Sequence, residues 1–468
     1  MKRLDNRLPL LLAVGAVSLL LAVGCTTRPE PTETLVMNGN HSAADVVMVT
    51  ADTSSDGYQY LDAELSPDGS RAVFTTDWPS IMPSGRLPDP LPVVRQIAIT
   101  PNTARTAPLL SLADGGAELV RLRPVRYRIG STESVYNGHE EYQKGDPTWI
   151  DDDHILFWMD LPRGARFFSV TVPNGFSTDD QLPMTSLYRE PTDDDVFTEI
   201  PNWEHLSPSI SPDGNWVAFS RFGYVDSDSL ATATQQSLWV FRMPQGDGPS
   251  ELAFQLTAEA AQVDAPTWSP DGRTIAFHAT PDLIGANDPF FTKEIFTVDF
   301  DTTGLAADGA VTLNRNIQRL TYSEPQEGSP IRIRNINPAF SPDGLRIAFI
   351  SDRRAPTLTY SDQNVWWIPS DGSLDPQLLF FTRSTESNVQ FTGGAGNEVL
   401  VCSSFGFPTE LLGELEAQAY QGYLVEDVNQ NGVPDNTELQ AAAKAAADRE
   451  ELEFFENVMS HLYLISNW

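Results

Sequence analysis

The chain has 468 residues, of which 41% are apolar; 35 are Pro and 31 are Gly, and 64 acidic against 30 basic residues leave a formal charge of −34. Such a field repels phosphate backbones and anionic headgroups, which excludes nucleic-acid binding and leaves divalent cations or basic partners as the natural ligands. The length exceeds one ordinary domain, yet frequent Pro and Gly with few helix-forming stretches suit an all-β ring of many short strands.

Residues 1–24 read as a signal peptide. Lys2, Arg3 and Arg7 form a positive start, Leu8 to Gly24 an apolar run, and Leu21-Ala22-Val23-Gly24-Cys25 a run of small residues ending in cysteine. This end resembles the bacterial lipobox, with Ala22 where Leu is commoner. The resemblance implies cleavage before Cys25, acylation of its thiol and a membrane attachment through that lipid. An uncleaved spanning anchor is the other reading, for which the run is slightly short. The implied location is the bacterial cell envelope, extracytoplasmic, on the periplasmic face of the outer membrane or at the cell surface. Residues 25–44 are polar and aperiodic and are expected to form a flexible tether. Cys402 is the only other cysteine, so an acylated Cys25 leaves no intramolecular disulfide; the string Val399-Leu400-Val401-Cys402 makes it a small core residue.

From residue 45 onward one pattern recurs. Leu65-Ser66-Pro67-Asp68-Gly69 precedes Arg71-Ala72-Val73-Phe74, and Ile210-Ser211-Pro212-Asp213-Gly214 precedes Trp216-Val217-Ala218-Phe219. Trp268-Ser269-Pro270-Asp271-Gly272 leads to Thr274-Ile275-Ala276-Phe277, and Phe340-Ser341-Pro342-Asp343-Gly344 to Arg346-Ile347-Ala348-Phe349. Two degenerate copies are centred on Trp149-Ile150 and Phe391-Thr392. Pro presets the first corner of a turn, Asp hydrogen-bonds the local backbone and Gly takes the left-handed position, so each copy predicts a tight hairpin with a structural Asp. Third strands are expected at 96–99, 167–172, 238–241, 294–298 and 365–368, and outer strands at 255–257 and 319–321.

These residues resemble the TolB-like propeller repeat, a WD40-like arrangement. The resemblance covers residues 45–468 and implies a six-bladed β-propeller of four-stranded antiparallel blades. The separate N-terminal α/β domain of TolB has no counterpart between Cys25 and the first repeat. Leu462-Tyr463-Leu464-Ile465 is expected as the third strand of the last blade, with Val46-Val47-Met48-Val49 supplying its outer strand and closing the ring.

Within the last blade, residues 408–457 predict a helix-loop-helix insertion. Its centre, Asp427 to Glu438, fits the twelve-residue EF-hand loop. Asp427, Asn429 and Asn431 turn alternate oxygens inward, Gly432 permits the bend, Val433 offers its carbonyl, Asp435 binds directly or through water, and Glu438 binds bidentately. A single such loop is similar to dockerin or thrombospondin type 3 repeats and implies structural Ca2+. An Asn/Asp-rich surface loop is the plainer reading.

Catalytic constellations are not legible: there is no G-x-S-x-G elbow, and the six histidines stand singly. His278, in a strand context, reads as a wall residue. Aligning the repeats places Asp62, Asp146, Ser207, Ala265, Asn337 and Asn388, with Asp264 adjacent, just before the inner strands. There they ring one mouth of the channel. Asp62, Asp146, Asp264, Asn337 and Asn388 are candidates to hold a cation, a water cluster or a basic partner residue; strand-end capping is the alternative. The functional expectation is a non-enzymatic protein-binding or scaffolding module whose partner is an envelope protein or other ligand. A propeller enzyme processing glycan or peptide at the channel mouth is the second reading.

Overall fold

The computed structural model describes residues 35–36, 46–48, 61–76, 96–99, 118–136, 143–188, 203–224, 234–260, 262–302, 316–323, 333–353, 363–406 and 459–465, with short breaks inside the longer ranges. The chain folds as an all-β propeller whose sheets follow one another in sequence. The first sheet comprises Leu61–Leu65, Ala72–Thr76, Gln96–Ile99 and Glu118–Leu119. The second comprises Lys144–Trp149, His154–Leu161, Gly164–Thr171 and Met184–Ser186. Trp203–Ile210, Trp216–Tyr224, Thr234–Arg242 and Ala253–Gln255 form the third. Val263–Trp268, Thr274–Ala279, Glu294–Asp299 and Ile317–Arg319 form the fourth. Asn335–Phe340, Arg346–Ser351, Asn364–Pro369 and Gln377–Thr382 belong to the fifth. The closing sheet takes Thr385–Phe391, Val399–Gly406 and Met459–Ile465, then Val46–Met48 from the N-terminal side.

Two properties of the repeat explain this order. The SPDG turn joins the inner strand to the second strand, and its geometry is the same in four places. Ser66, Ser211, Ser269 and Ser341 each donate from Oγ to Oδ1 of the Asp two residues on, at 2.6 Å. The same hydroxyl accepts the backbone N–H five residues later, at 2.9–3.0 Å, so a short turn satisfies its own polar groups. The phenylalanine closing each motif then enters the space between neighbouring sheets: Phe74, Phe219, Phe277 and Phe349 are fully buried, with Phe157 in the degenerate copy. Burying one such ring contributes about 2–3 kcal/mol.

The inner strands touch in chain order, and the last returns to the first, so the sheets enclose an axis. Closure follows the expected clasp: Val46 lies opposite Ile465, and Leu400 lies opposite Leu464 on the other side of the same strand.

Two expectations are corrected. The ring is not six equal four-stranded blades: among the described residues five sheets have four strands, one has five, and two further sheets are strand pairs, Gln181–Leu182 with Arg121–Leu122 and Val125–Ile129 with Thr132–Tyr136. Leu35 pairs with Thr382 and Val36 with Phe381, so two residues of the expected tether add a strand to an otherwise open edge. The expected helix-loop-helix insertion gains no support either: no α-helix occurs among the described residues, whose helical element is the short 3-10 turn Pro281–Ile284. In the closing sheet Val399–Gly406 pairs directly with Met459–Ile465. Residues 408–457 lie outside the described residues.

Candidate functional site

The inner strands share a defect near their starts. Their pairing with the second strand skips register between Leu61 and Glu64, Gly145 and Thr148, Leu206 and Ser209, Asp264 and Thr267, and Ile336 and Ala339. Inside each skip sits a non-glycine residue with positive φ: Asp62 at 52°, Asp146 at 45°, Ser207 at 51°, Ala265 at 52° and Asn337 at 51°. Asp and Asn accept this conformation most readily, while at Ser and Ala it costs on the order of 1–3 kcal/mol. Pro147, Pro208, Pro266 and Pro338 follow four of them. Proline has no N–H to lose from the ladder, which is why it is tolerated at a bulge.

The aligned positions are therefore real equivalents, but they lie inside the inner strands rather than before them. Asn388 departs from the set. It flanks a skip between Glu386 and Asn388, is absent from the positive-φ residues described, and accepts the Val389 N–H on its own Oδ1 at 2.8 Å.

The bulges turn short polar side chains toward the next sheet. Asp146 Oδ2 accepts from Ser207 N at 3.0 Å, Ser207 Oγ at 3.2 Å and Trp158 Nε1 at 2.9 Å. Gly145 makes room for that tryptophan, since a Cβ there would lie 2.4 Å from Trp158 Cζ2. Asp264 Oδ1 accepts from Ser220 Oγ at 2.7 Å and from Ala265 N at 2.8 Å, joining the fourth sheet to the third. The Asn337 N–H approaches His278 Nδ1 at 3.5 Å, and Asn337 Nδ2 donates to the Ser387 carbonyl at 2.8 Å. Between the first two sheets, the Lys144 ammonium donates to Gln96 Oε1 at 3.1 Å. Three of the five candidates, Asp146, Asp264 and Asn337, thus serve as ties inside or between sheets, and Asp62 shares the positive φ of Asp146 and Asn337.

Electrostatics single out Asp146 and Asp264. Burial, and next the charge of Asp264, push the Asp146 carboxyl above its usual range, against the donors Trp158 and Ser207. His278 is held down to about 3 by burial and by the nearby Lys293, with Asp264 opposing. It is a neutral wall residue, only 4% exposed. Burial lowers Lys293 as well, while Asp264 favours its charged form. Asp146, Asp264 and Lys293 are thus half-buried groups whose charges act on one another, and the carboxyl oxygens serve as hydrogen-bond acceptors. Among the described residues no group of three His, Cys, Asp or Glu side chains is placed to hold a metal ion. Ser220, Trp158, His278 and Lys293 were not legible as members of this site, because the first three come from second strands and Lys293 precedes a third strand. In the sequence the site is marked by the alignment of the repeats and, at four of the five bulges, by the x-Pro step.

Cys25 and the loop residues Asp427, Asn429, Asn431, Val433, Asp435 and Glu438 lie outside the described residues. No helix among the described residues is long and apolar enough to cross a membrane.

No protein-family model matches the chain, and no curated protein matches it in sequence. Solved structures do resemble it. A candidate TolB from Agrobacterium tumefaciens aligns with a TM-score of 0.37 at 14% identity, covering 73% of this chain and 87% of the other. A protein of unknown function from Dyadobacter fermentans gives 0.43 at 10% identity, over 92% of this chain and 100% of the other. A puromycin-hydrolyzing peptidase from Mycobacterium tuberculosis gives 0.39 at 11% identity over 82% of this chain, which spans only 49% of that peptidase. The propeller assignment rests on the order and closure of the sheets themselves.

Proposed function

We propose that this chain is a lipid-anchored propeller of the bacterial cell envelope that works as a non-enzymatic protein-binding or scaffolding module. In this reading Cys25 carries the lipid and the loop Asp427 to Glu438 holds a structural Ca2+. The channel mouth, with Asp62, Asp146, Asp264, Asn337 and Asn388, receives a basic residue of an envelope protein.

One observation carries the binding role. Asp146 and Asp264, on sheets that are not neighbours, are each held by donors from another strand, and the charge of Asp264 adds to burial in raising the Asp146 carboxyl. A cation brought beside Asp146 favours its charged form and so offsets the cost of its burial. A guanidinium or ammonium group entering the mouth satisfies both carboxylates without rearranging the ring.

Affinity capture from native membranes, with calcium present and the chain intact, tests the reading. A specific envelope protein retained at the mouth supports it. Co-purifying glycan or peptide in place of a protein argues instead for an enzyme acting at the channel mouth.

A further inference from the structure

A second surface lies at the opposite end of the inner strands, where the SPDG turns of the third and fourth sheets meet. It is a groove of about 840 Å3. Its floor is aromatic: the Phe300 ring meets Trp216 edge-on with centroids 5.4 Å apart and Trp268 at 4.8 Å. Trp268 is pinned by its Nε1–H donating to the Ser209 carbonyl at 3.0 Å, and Trp216 remains partly exposed.

The rim is acidic. Asp213 and Asp271 belong to the two turns, where Ser211 and Asn215, and Ser269 and Arg273, donate to them and hold both carboxyls below their usual range. Exposed Asp299 and Asp301 complete the rim, against Arg273 as the one cation lining the groove among the described residues. Four carboxylates around a tryptophan floor favour a flat cation over a sugar or an acidic peptide. The fold already uses this pairing elsewhere, with Arg71 over Trp149 at 5.0 Å and Arg221 over Trp239 at 4.5 Å.

We propose that this groove is a docking site for an arginine-bearing segment of a protein partner, the guanidinium lying on Trp216 between the turn carboxylates and Asp299 and Asp301. Arginine suits it better than lysine, because a planar, weakly hydrated guanidinium stacks on an indole while donating to carboxylates at its edge. The groove shares no residue with the channel mouth, so the proposal stands independently of the mouth reading.

The test titrates the full-length chain with an N-acetylated, C-amidated tetra-arginine peptide at physiological salt, followed by calorimetry and tryptophan fluorescence. The counter-probe is the same peptide with citrulline in place of arginine. Asp299→Asn with Asp301→Asn is expected to weaken binding by about tenfold or more, since two rim charges are lost. Asp282→Asn with Asp375→Asn, removing equal charge from exposed positions outside the groove, is expected to change it less than about twofold. Trp216→Leu is expected to weaken binding by about tenfold or more and to leave only the smaller fluorescence response of Trp268. Equal weakening by both Asn pairs, equal binding of the citrulline peptide, or no binding to the unaltered chain would overturn the proposal.

Discussion

The Asp146 carboxylate reaches from the second sheet to the third, where a single oxygen accepts both the backbone N–H and the hydroxyl of Ser207, at 3.0 and 3.2 Å. A bulge on one inner strand is thereby tied to the equivalent bulge on the next. The tie explains how a residue in a costly backbone conformation is held in place, and it fixes where the mouth carboxylates stand. Asp146→Ala leaves Ser207 N–H and Trp158 Nε1–H without their acceptor. A loss of about 1–3 kcal/mol is expected, seen as a lower denaturant midpoint with an unchanged m-value. A midpoint equal to that of the unaltered chain would mean that the tie contributes nothing.

The SPDG turns make a second prediction. Gly344 has φ of +72°, and a Cβ there would meet Pro270 Cδ, from the preceding turn, at 3.5 Å. Successive turns therefore nest, proline against glycine, as Gly272 does with Pro212 at 3.8 Å. Gly344→Ala is expected to cost roughly 1 kcal/mol from the left-handed backbone, since 3.5 Å is an ordinary contact. Thermal unfolding checks it; an unchanged or raised Tm would contradict the turn geometry.

Lys144 provides the pH prediction. Its side chain is fully buried at the junction of the first and second sheets, and burial brings its amine down to about 7. The unfolded chain keeps this lysine protonated up to its ordinary value near 10.5, so between pH 7 and 10.5 the unfolded state binds the extra proton. Stability from this group therefore rises with pH across that window, at most by about 1.4 kcal/mol per pH unit, and is flat below it. Lys144→Met is expected to remove that slope and to be the more stable form at pH 7. Parallel stability curves for the two proteins from pH 7 to 10 would refute it.

Calcium binding is read from Asp427, Asn429, Asn431, Val433, Asp435 and Glu438, whose oxygens fall in the EF-hand order. Calorimetry of the full chain is expected to show one Ca2+ bound, weakened roughly tenfold or more by Glu438→Gln, which removes the bidentate carboxylate. Absence of calcium-dependent heat would reduce the segment to a polar surface loop.

How much of this was legible in the sequence follows from the range of each interaction. The four intact SPDG copies were readable because Ser66, Ser211, Ser269 and Ser341 bond within five residues, so composition alone carries the geometry. The clasp of Val46–Met48 onto Met459–Ile465 was readable as a missing edge partner. The fifth strand was not: Leu35–Val36 is two residues long, too short for any periodicity, and is defined only by the edge it covers. At the mouth, alignment located Asp62, Asp146 and Asn337 through their neighbours in the motif, but not that they lie inside strands at bulges. Of the partners of Asp146 and Asn337, Trp158 lies on the next strand of the same hairpin, while Ser207, His278 and Ser387 belong to neighbouring sheets and are brought close by sheet packing. Asp264 stands next to the bulge residue Ala265, and its pairing with Ser220, 44 residues away, carries no local signature.

The central claim is that the channel mouth recognises a basic group of an envelope protein through fixed carboxylates. The most direct test compares the unaltered chain with Asp62→Asn, Asp146→Asn and Asp264→Asn combined, measuring affinity for the protein captured from native membranes after circular dichroism has shown both to be folded. The account predicts at least about a tenfold loss of affinity, with a weaker salt dependence of what remains. Unchanged affinity in the folded triple variant would contradict it.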